Sequence, residues 1–582
     1  MLVVAGAISF NKEKFVSNDI KKELNDSLFR NNAEQISHLE NESFYITIAS
    51  MHHGAFQQQC YDDNDSLTLL LGNPYLENLR DGSKNSLKNQ LNEIHNICNK
   101  HNWDTLKTNC RGAFAVVHYS KKENKLIFIS DKLGVRPLYY CSDGTRLFFS
   151  SALRILESCS FVPLGLDIRG VSEIVAFGFP LATRTPYQGI KRIAAAEILQ
   201  FKLNNEISKK YWRWDALPEV KAESTSSLAK DSFFHFSNAV KIRLSGDSVV
   251  NSFLSGGLDS RCIAMLLKEF DCRIHACNFS PPNSQDRYFA SQFAEKAELL
   301  YKECNFVKGA NWSQMMADAL SEQSCETSSM PDRPWVVWSG DGGSVGAGCV
   351  YLNHEIVDAA LQGEMDKAIN LYTTYNKINL PFKILNRSLR EELQNVVASG
   401  IHEEMARFRH ANPARALHLF LMENDQRRHL DRHFENLDLH KLEFMLPFFD
   451  SFFLERVFSL PVKCSLEHEF YMDWFKLFPS LAQEIPWQTY PGHKKCPLSS
   501  KQNLQYQWDQ DARKNREKHD ESKEIVKSFL KKYRTKSFPK QILKGNVLLT
   551  ACFLQYFKIK NYDYLFSAAD KYITYFKKSQ RV

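Results

Sequence analysis

The sequence predicts an α/β protein built in two parts: stacked antiparallel sheets first, then a parallel α/β sheet with extra helices. Three observations carry this expectation. Residues 1 to about 205 hold seven short runs rich in β-branched and aromatic residues, at 2–8, 44–49, 67–71, 113–118, 126–129, 138–141 and 147–150. Such runs with few helices between them suggest stacked sheets. From Ser248-Val249-Val250 onward, apolar runs alternate with helical patterns, as parallel strands with crossover helices do. Finally, 582 residues are too many for one hydrophobic core. The expected layout is 1–205, a linker at 206–230, 231–500, and a helical extension at 501–582.

Composition excludes several classes. Hydrophobic residues make up 43% and charged residues 24%, an ordinary globular balance rather than a disordered one. A net charge of +7 over this length does not point to nucleic acid. The 14 cysteines form no CxxC pair, so reduced, mostly buried thiols in a cytoplasmic protein are expected. The apolar opening at 2–8 has no basic region before it and is too short to span a bilayer, so no membrane partner is expected.

The chain is organised around Ser252-Phe253-Leu254-Ser255-Gly256-Gly257-Leu258-Asp259-Ser260. A buried strand precedes it, and Arg261 to Phe270 reads as a helix. Strand, glycine-rich turn and helix place backbone N–H groups and a helix N-terminus against a phosphate. Gly256 and Gly257 let the backbone approach, Ser255 and Ser260 add hydroxyls, and Asp259 offers an oxygen to Mg²⁺. No Walker-type Gly-Lys-Ser/Thr is present.

The SGGLDS string resembles the pyrophosphate-binding signature of asparagine-synthetase-like ATP pyrophosphatases, a branch of the adenine-nucleotide α-hydrolase-like fold. The resemblance implies cleavage of ATP between its α- and β-phosphates, with AMP placed on a carboxylate. In the first unit, Arg111-Gly112-Ala113-Phe114 and Asp131-Lys132-Leu133-Gly134-Val135-Arg136-Pro137-Leu138-Tyr139-Tyr140 resemble class II glutamine amidotransferase domains of the N-terminal-nucleophile type. That resemblance implies an amino-terminal cysteine nucleophile. Aligning Ala5-Gly6 with the family's opening puts Leu2 in that place. The glutamine-holding loop corresponds to His53-Gly54-Ala55-Phe56, without its Arg and Asp. A scaffold without glutaminase activity is therefore expected.

The second signature is Ser339-Gly340-Asp341-Gly342-Gly343-Ser344, after the apolar run 335–338. It resembles the family's second pyrophosphate loop, and its Mg²⁺-ligand Asp falls on Ser344. Either Ser344 or Asp341 is then expected to join Asp259 at the metal, Leu254 and residues 255–260 and 339–342 lining the nucleotide. A catalytic acid is implied between the signatures, with Glu326 and Glu322 as candidates. A lysine in a mobile loop is implied near Pro491-Gly492-His493-Lys494-Lys495, Lys495 slightly preferred over Lys494 by spacing. Asp286 reads equally as a remnant of an acidic nucleotide contact or as a helix N-cap. His429 and His433, one helical turn apart, read as a solvated or packed face rather than a metal pair. Glu443-Phe444-Met445-Leu446-Pro447-Phe448-Phe449-Asp450 resembles a further family motif ending in Pro-Phe-Leu-Asp.

Taken together, the expected activity is ATP- and Mg²⁺-dependent amide formation from a small-molecule or peptide carboxylate and an amine or ammonia. Ammonia-dependent asparagine synthesis and ATP binding without turnover are the alternatives. A homodimer or a pathway protein is a possible partner. In the extension, Lys527, Lys531, Lys532, Arg534, Lys536 and Lys540 read as a solvated helix face, or less readily as a contact for an acidic partner.

Overall fold

The computed structural model describes residues 1–10, 16–30, 35–51, 55–79, 86–202, 205–220, 225–304, 335–490, 493, 495–498, 504 and 518–580. Twelve strands build the first unit. They are β1 (Leu2–Ser9), β2 (Gln35–Glu40), β3 (Phe44–Ser50), β4 (Cys60–Asp62), β5 (Ser66–Gly72), β6 (Phe114–Ser120), β7 (Lys125–Ser130), β8 (Tyr139–Ser142), β9 (Arg146–Ser150), β10 (Ile190–Arg192), β11 (Glu197–Lys202) and β12 (Asn205–Lys210). They pair into two six-stranded antiparallel sheets, ordered β10-β8-β9-β1-β3-β2 and β12-β11-β7-β6-β5-β4.

Leu2, Val4, Ile48, Leu69, Val117, Phe128 and Phe149 meet between the sheets. The strands alternate, so Val3, Ala5 and Ala7 face the other way, toward Ile20, Leu24 and Leu28 of the helix Asn18–Leu28. On the far sheet Leu70, Val116 and Ile127 meet Leu91 and Ile94 of the helix Leu87–Lys100. The result is four layers, helix–sheet–sheet–helix.

All seven strands expected in this unit are present. Five others, β2, β4 and β10–β12, escaped the sequence pattern. Edge strands β2 and β12 are polar, and β12 is exposed along its whole length. Lysine-rich edges of this kind resist further pairing and hide the apolar signal. Because β12 runs to Lys210, the sheets extend past residue 205.

The second sheet system has five strands, all parallel. They are β13 (Val249–Phe253), β14 (Arg273–Asn278), β15 (Leu300–Glu303), β16 (Trp335–Trp338) and β17 (Leu442–Met445), in the order β15-β14-β13-β16-β17. The chain moves outward from β13 through β14 to β15, then returns to the other side of β13 with β16. That reversal is a topological switch point, where open α/β sheets bind ligands beyond their strand ends.

Helices between 354 and 440 pack on one another, and Val396–Met405 also meets the helix Ile168–Phe177 of the first unit. The helices Lys518–Tyr533, Gly545–Tyr556 and Asp563–Ser579 form a satellite core with Val171, Leu385 and Val396. Among the described residues no helix is long and apolar enough to cross a membrane. Eleven of the thirteen described cysteines are buried.

One carboxylate ties the two sheet systems together. Asp450 caps the helix Ser451–Phe458 by accepting from the N–H groups of Phe452 and Phe453. The same carboxylate accepts from Arg111 Nε at 3.1 Å, on the approach to β6, and from Arg243 at 2.8 Å, at the end of the helix Thr225–Leu244. Burial pushes the Asp450 carboxyl up, but the two guanidinium groups outweigh it and hold it below its ordinary value. Arg427 adds a second tie, donating to Gly134 O at 3.3 Å and Ala182 O at 3.2 Å.

Replacing Asp450 by Ala takes this carboxylate from the buried Arg243 guanidinium and leaves Arg111 with Glu77, and a loss of about 3–5 kcal/mol is expected. Urea unfolding of the variant checks it. In the wild type, this contribution is complete above the unfolded carboxyl's pKa of about 3.9 and disappears as pH falls through the lower folded value. An acid titration of the unfolding midpoint should show that sign.

Candidate active site

The Ser255–Ser260 turn and the Ser339–Ser344 turn leave β13 and β16, neighbours at the switch point. The first turn is largely folded on itself. Ser255 N–H donates to Ser260 Oγ at 3.0 Å, Gly257 N–H to Ser255 Oγ at 3.2 Å, and Gly256 N–H to Asp286 Oδ1 at 2.9 Å. The following helix, Asp259–Glu269, has Leu258 at its cap position, which offers no side-chain acceptor. Its first N–H groups are thus left for an anion, as a phosphate-binding N-terminus requires.

Asp286 turns out to be neither reading in full. The helix Gln285–Lys296 is capped by Ser284, whose hydroxyl accepts from Arg287 N–H at 3.2 Å. This corrects the N-cap expectation. Asp286 instead accepts from Gly256 N–H, Asn278 Nδ2 and Ser280 Oγ, so it holds the glycine turn in shape. A Cβ on Gly256 would come within 2.6 Å of the Asp286 backbone, which is why glycine is needed there.

The two turns interlock through Asp259. Its Oδ2 accepts from the Ser344 N–H at 3.0 Å and the Ser344 hydroxyl at 2.7 Å. Its Oδ1 accepts from the Tyr471 hydroxyl at 2.6 Å. Glycines allow the approach: a Cβ on Gly343 would lie 2.5 Å from Asp259 Oδ1, and one on Gly340 would lie 2.8 Å from Ser260 N. Burial pushes the Asp259 carboxyl up to about 6; Tyr471 and Ser344 pull it down, and the Asp341 charge adds to the rise.

Asp341 accepts from Ser339 Oγ and faces His429, with Nε2 at 3.2 Å. Burial raises the Asp341 carboxyl, but His429 outweighs it and holds it below the ordinary range. His429 is crowded by protein yet keeps 53% of its side-chain surface exposed. Burial opposes its charge, but the Asp341 hydrogen bond and charge prevail and raise its pKa to about 9. His433, one helical turn on, is packed instead, bonding Leu442 O at 3.2 Å and stacking on Phe444. The helix turns with π-geometry at Leu421–Gln426, just before this pair.

The oxygen donors fit Mg²⁺. Asp259 and Asp341 supply two carboxylates at neighbouring turns, and this ion usually takes one or two carboxylates plus phosphate and water oxygens. Ser344 has a task the sequence did not show, donating to Asp259 and orienting it. Among the described residues no cluster of three or more His, Cys, Asp or Glu is assembled to hold a metal.

The lysine-bearing segment is fastened to the same turn. Gln488 N–H donates to Gly256 O at 3.0 Å, seven residues before Lys495. Arg261, fully buried, donates to Ala482 O, Ile485 O and Pro486 O, the last two at 2.7 and 2.9 Å. His493 meets His468, Nδ1 to Nδ1, at 3.0 Å. Lys495 is exposed just beyond. Glu322, Glu326, Lys494 and the His53-Gly54 pair lie outside the described residues. Tyr471, His429, Arg261 and Gln488 were not foreseen as site residues. Only His429 was noticed in the sequence, as part of a solvated or packed face with His433, and its partner Asp341 was not foreseen.

An antiparallel two-sheet unit is followed by a parallel sheet with paired glycine turns at its switch point, the order in which amidotransferase-type and synthetase-type segments are matched. The comparisons agree. The family profile described as "Glutamine amidotransferase domain" matches residues 96–212, and that described as "Asparagine synthase" matches residues 235–333. The putative asparagine synthetase [glutamine-hydrolyzing] 2 of Methanocaldococcus jannaschii is 31% identical over 30% of this chain and 35% of that protein. Asparagine synthetase [glutamine-hydrolyzing] 3 of Bacillus subtilis is 31% identical over 31% of this chain and 30% of that protein. Amidase chyE of Penicillium rubens is 27% identical over 29% of this chain and 25% of that protein. The chain thus spans about a third of the length of the curated relatives it matches. It is similar to asparagine synthetases over these segments.

Gly343→Ala is expected to spring the two turns apart, at a cost of about 1–3 kcal/mol. Hydrogen exchange at the Ser344 amide, protected by Asp259 in the wild type, should accelerate measurably in the variant.

Proposed function

We propose that this chain is an ATP-dependent ligase that adenylates a carboxylate and passes it to an amine or ammonia, releasing AMP and pyrophosphate. The observation that carries the reading is the interlock of Asp259 with the second glycine turn, beside a helix N-terminus without a side-chain cap. The carboxylate oxygen would attack the α-phosphorus, and the departing pyrophosphate would settle at the N-terminus of the helix Asp259–Glu269, beside the hydroxyls of Ser255 and Ser260. Asp259 and Asp341 would hold Mg²⁺, which offsets charge on the phosphates. Lys495 would approach the adenylate phosphate from the segment pinned by Arg261 and Gln488, stabilising charge as it develops. The amine proton would pass to Glu322 or Glu326.

We further propose that glutamine is not the nitrogen source. Leu2 is buried in the core between the antiparallel sheets. The described thiols of this unit are poorly suited to attack, because burial pushes Cys60 and Cys110 up to about 12 and Cys141 and Cys159 up to about 11. A second reading, nucleotide binding without turnover, is favoured by one observation. Ser344 occupies the place of a loop acid, and Asp259 already accepts three hydrogen bonds.

Pyrophosphate and AMP release, measured across a panel of carboxylates and amines with aspartate and ammonia included, tests the proposal. Amine-dependent release that Asp259→Ala abolishes supports it, whereas AMP yield unchanged by that substitution overturns it. ATP binding without AMP for every pair favours the second reading. Lys495→Ala is expected to lower kcat about 100-fold or more, with a smaller change in KM, in the same assay. Glutamate release from glutamine should stay at background.

A further inference from the structure

The three C-terminal helices carry a surface that the ligase reading does not use. Helix Gly545–Tyr556 buries Leu548, Ala551, Cys552 and Gln555 against its neighbours. Its opposite side and the turn after it expose Phe553 (59%), Tyr556, Phe557 (59%) and Ile559 (65%), and the start of the next helix exposes Tyr564. Three of these side chains, Phe553, Tyr556 and Phe557, pack together. The Phe553 and Phe557 rings lie 4.8 Å apart and those of Tyr556 and Phe557 5.4 Å apart. Leu549, one helical turn before Phe553, is also exposed. Monomeric proteins rarely leave such a patch open without a use for it.

Charge is concentrated in the same part of the chain. Residues 523–582 hold 14 Lys and Arg against 3 acids, an excess of 11, where the whole chain has an excess of 7. Everything before residue 523 is therefore slightly acidic. Within the patch, Lys523 lies over the Tyr556 ring at 5.5 Å and Lys560 over the Tyr562 ring at 5.6 Å. Some of the excess is matched from outside the segment, since Lys578 pairs with Glu157. The remainder still leaves aromatic and aliphatic side chains set among lysines.

We propose that this face docks peripherally on an anionic lipid bilayer. Tyr and Phe suit the headgroup boundary, Ile559 and Leu549 enter the acyl edge, and the lysines meet anionic headgroups. A second copy of the chain is a poorer occupant, because an isologous contact would press two strongly basic faces together. Single-stranded nucleic acid would use the aromatic rings but gain little from Ile559 and Leu549. The expectation of no membrane partner rested on the lack of a long apolar run, and a surface contact needs none.

Flotation of the full chain with vesicles tests the idea. Vesicles of phosphatidylcholine alone are compared with vesicles containing about 30% phosphatidylserine, a strongly anionic surface. The wild type should partition at least tenfold better to the anionic vesicles, and salt raised toward about 1 M should weaken that, because screening then acts within about 3 Å. The double variant Phe557→Ser, Ile559→Ser should lose at least tenfold in partitioning, and Lys560→Glu should lose a smaller factor. These positions are exposed, so circular dichroism should stay unchanged. Phe557→Trp should show a blue-shifted emission on vesicle addition. The proposal is overturned by equal partitioning to both vesicle types, by retention of binding in the double variant, or by a dimer in solution that the double variant abolishes.

Discussion

A fully buried carboxylate with two guanidinium partners is the constraint on which the arrangement depends. Asp450 is stable in its apolar surroundings only while Arg111 and Arg243 both reach it and two amide N–H groups of the next helix close the remaining positions. Those partners come from three separate stretches of chain. Seating them together fixes the turn after β17, and with it Phe449, which packs where a Cβ on Gly342 would stand at 2.8 Å. The second glycine turn is thereby pressed toward the first. The geometry at the switch point is thus inherited from an ion pair that includes a residue of the antiparallel unit.

The glycine turns were legible in the sequence because their chemistry is local. SGGLDS and SGDGGS each sit after an apolar run, and the fold put both at adjacent strand ends. The seven apolar strands of the first unit were legible for the same reason, since period-two burial leaves its mark on consecutive residues. Polar strands such as Asn205–Lys210 left none, because an exposed edge asks only for hydrogen bonds and solubility. Partners supplied from far away were illegible. Nothing near Tyr471 marks it as a donor to Asp259, and nothing near Arg261 shows that it clamps residues 482–486. Asp286 shows the limit of local reading: its acid was noticed, but its partner, the Gly256 amide, lies 30 residues earlier.

The site gathers opposite electrostatic settings within a few residues. Asp259 is raised by burial, while Asp341 is lowered by His429. Burial thus disfavours the charge on one carboxyl, while the imidazole favours it on the other. Such a divided pair needs no third acid to tell its members apart.

The distance along the chain between Asp259 and its partners also bears on synthesis. Ser344 follows it by 85 residues and Tyr471 by 212. While the ribosome is still translating the middle of the protein, β13 and β14 can already pair, but the first turn lacks both donors that shape it. The antiparallel unit, complete by residue 210, folds ahead of it as N-terminal units generally do. A nascent or truncated polypeptide would therefore carry a folded front half and an unfinished nucleotide cradle, and the cradle would close only once Tyr471 had cleared the exit tunnel.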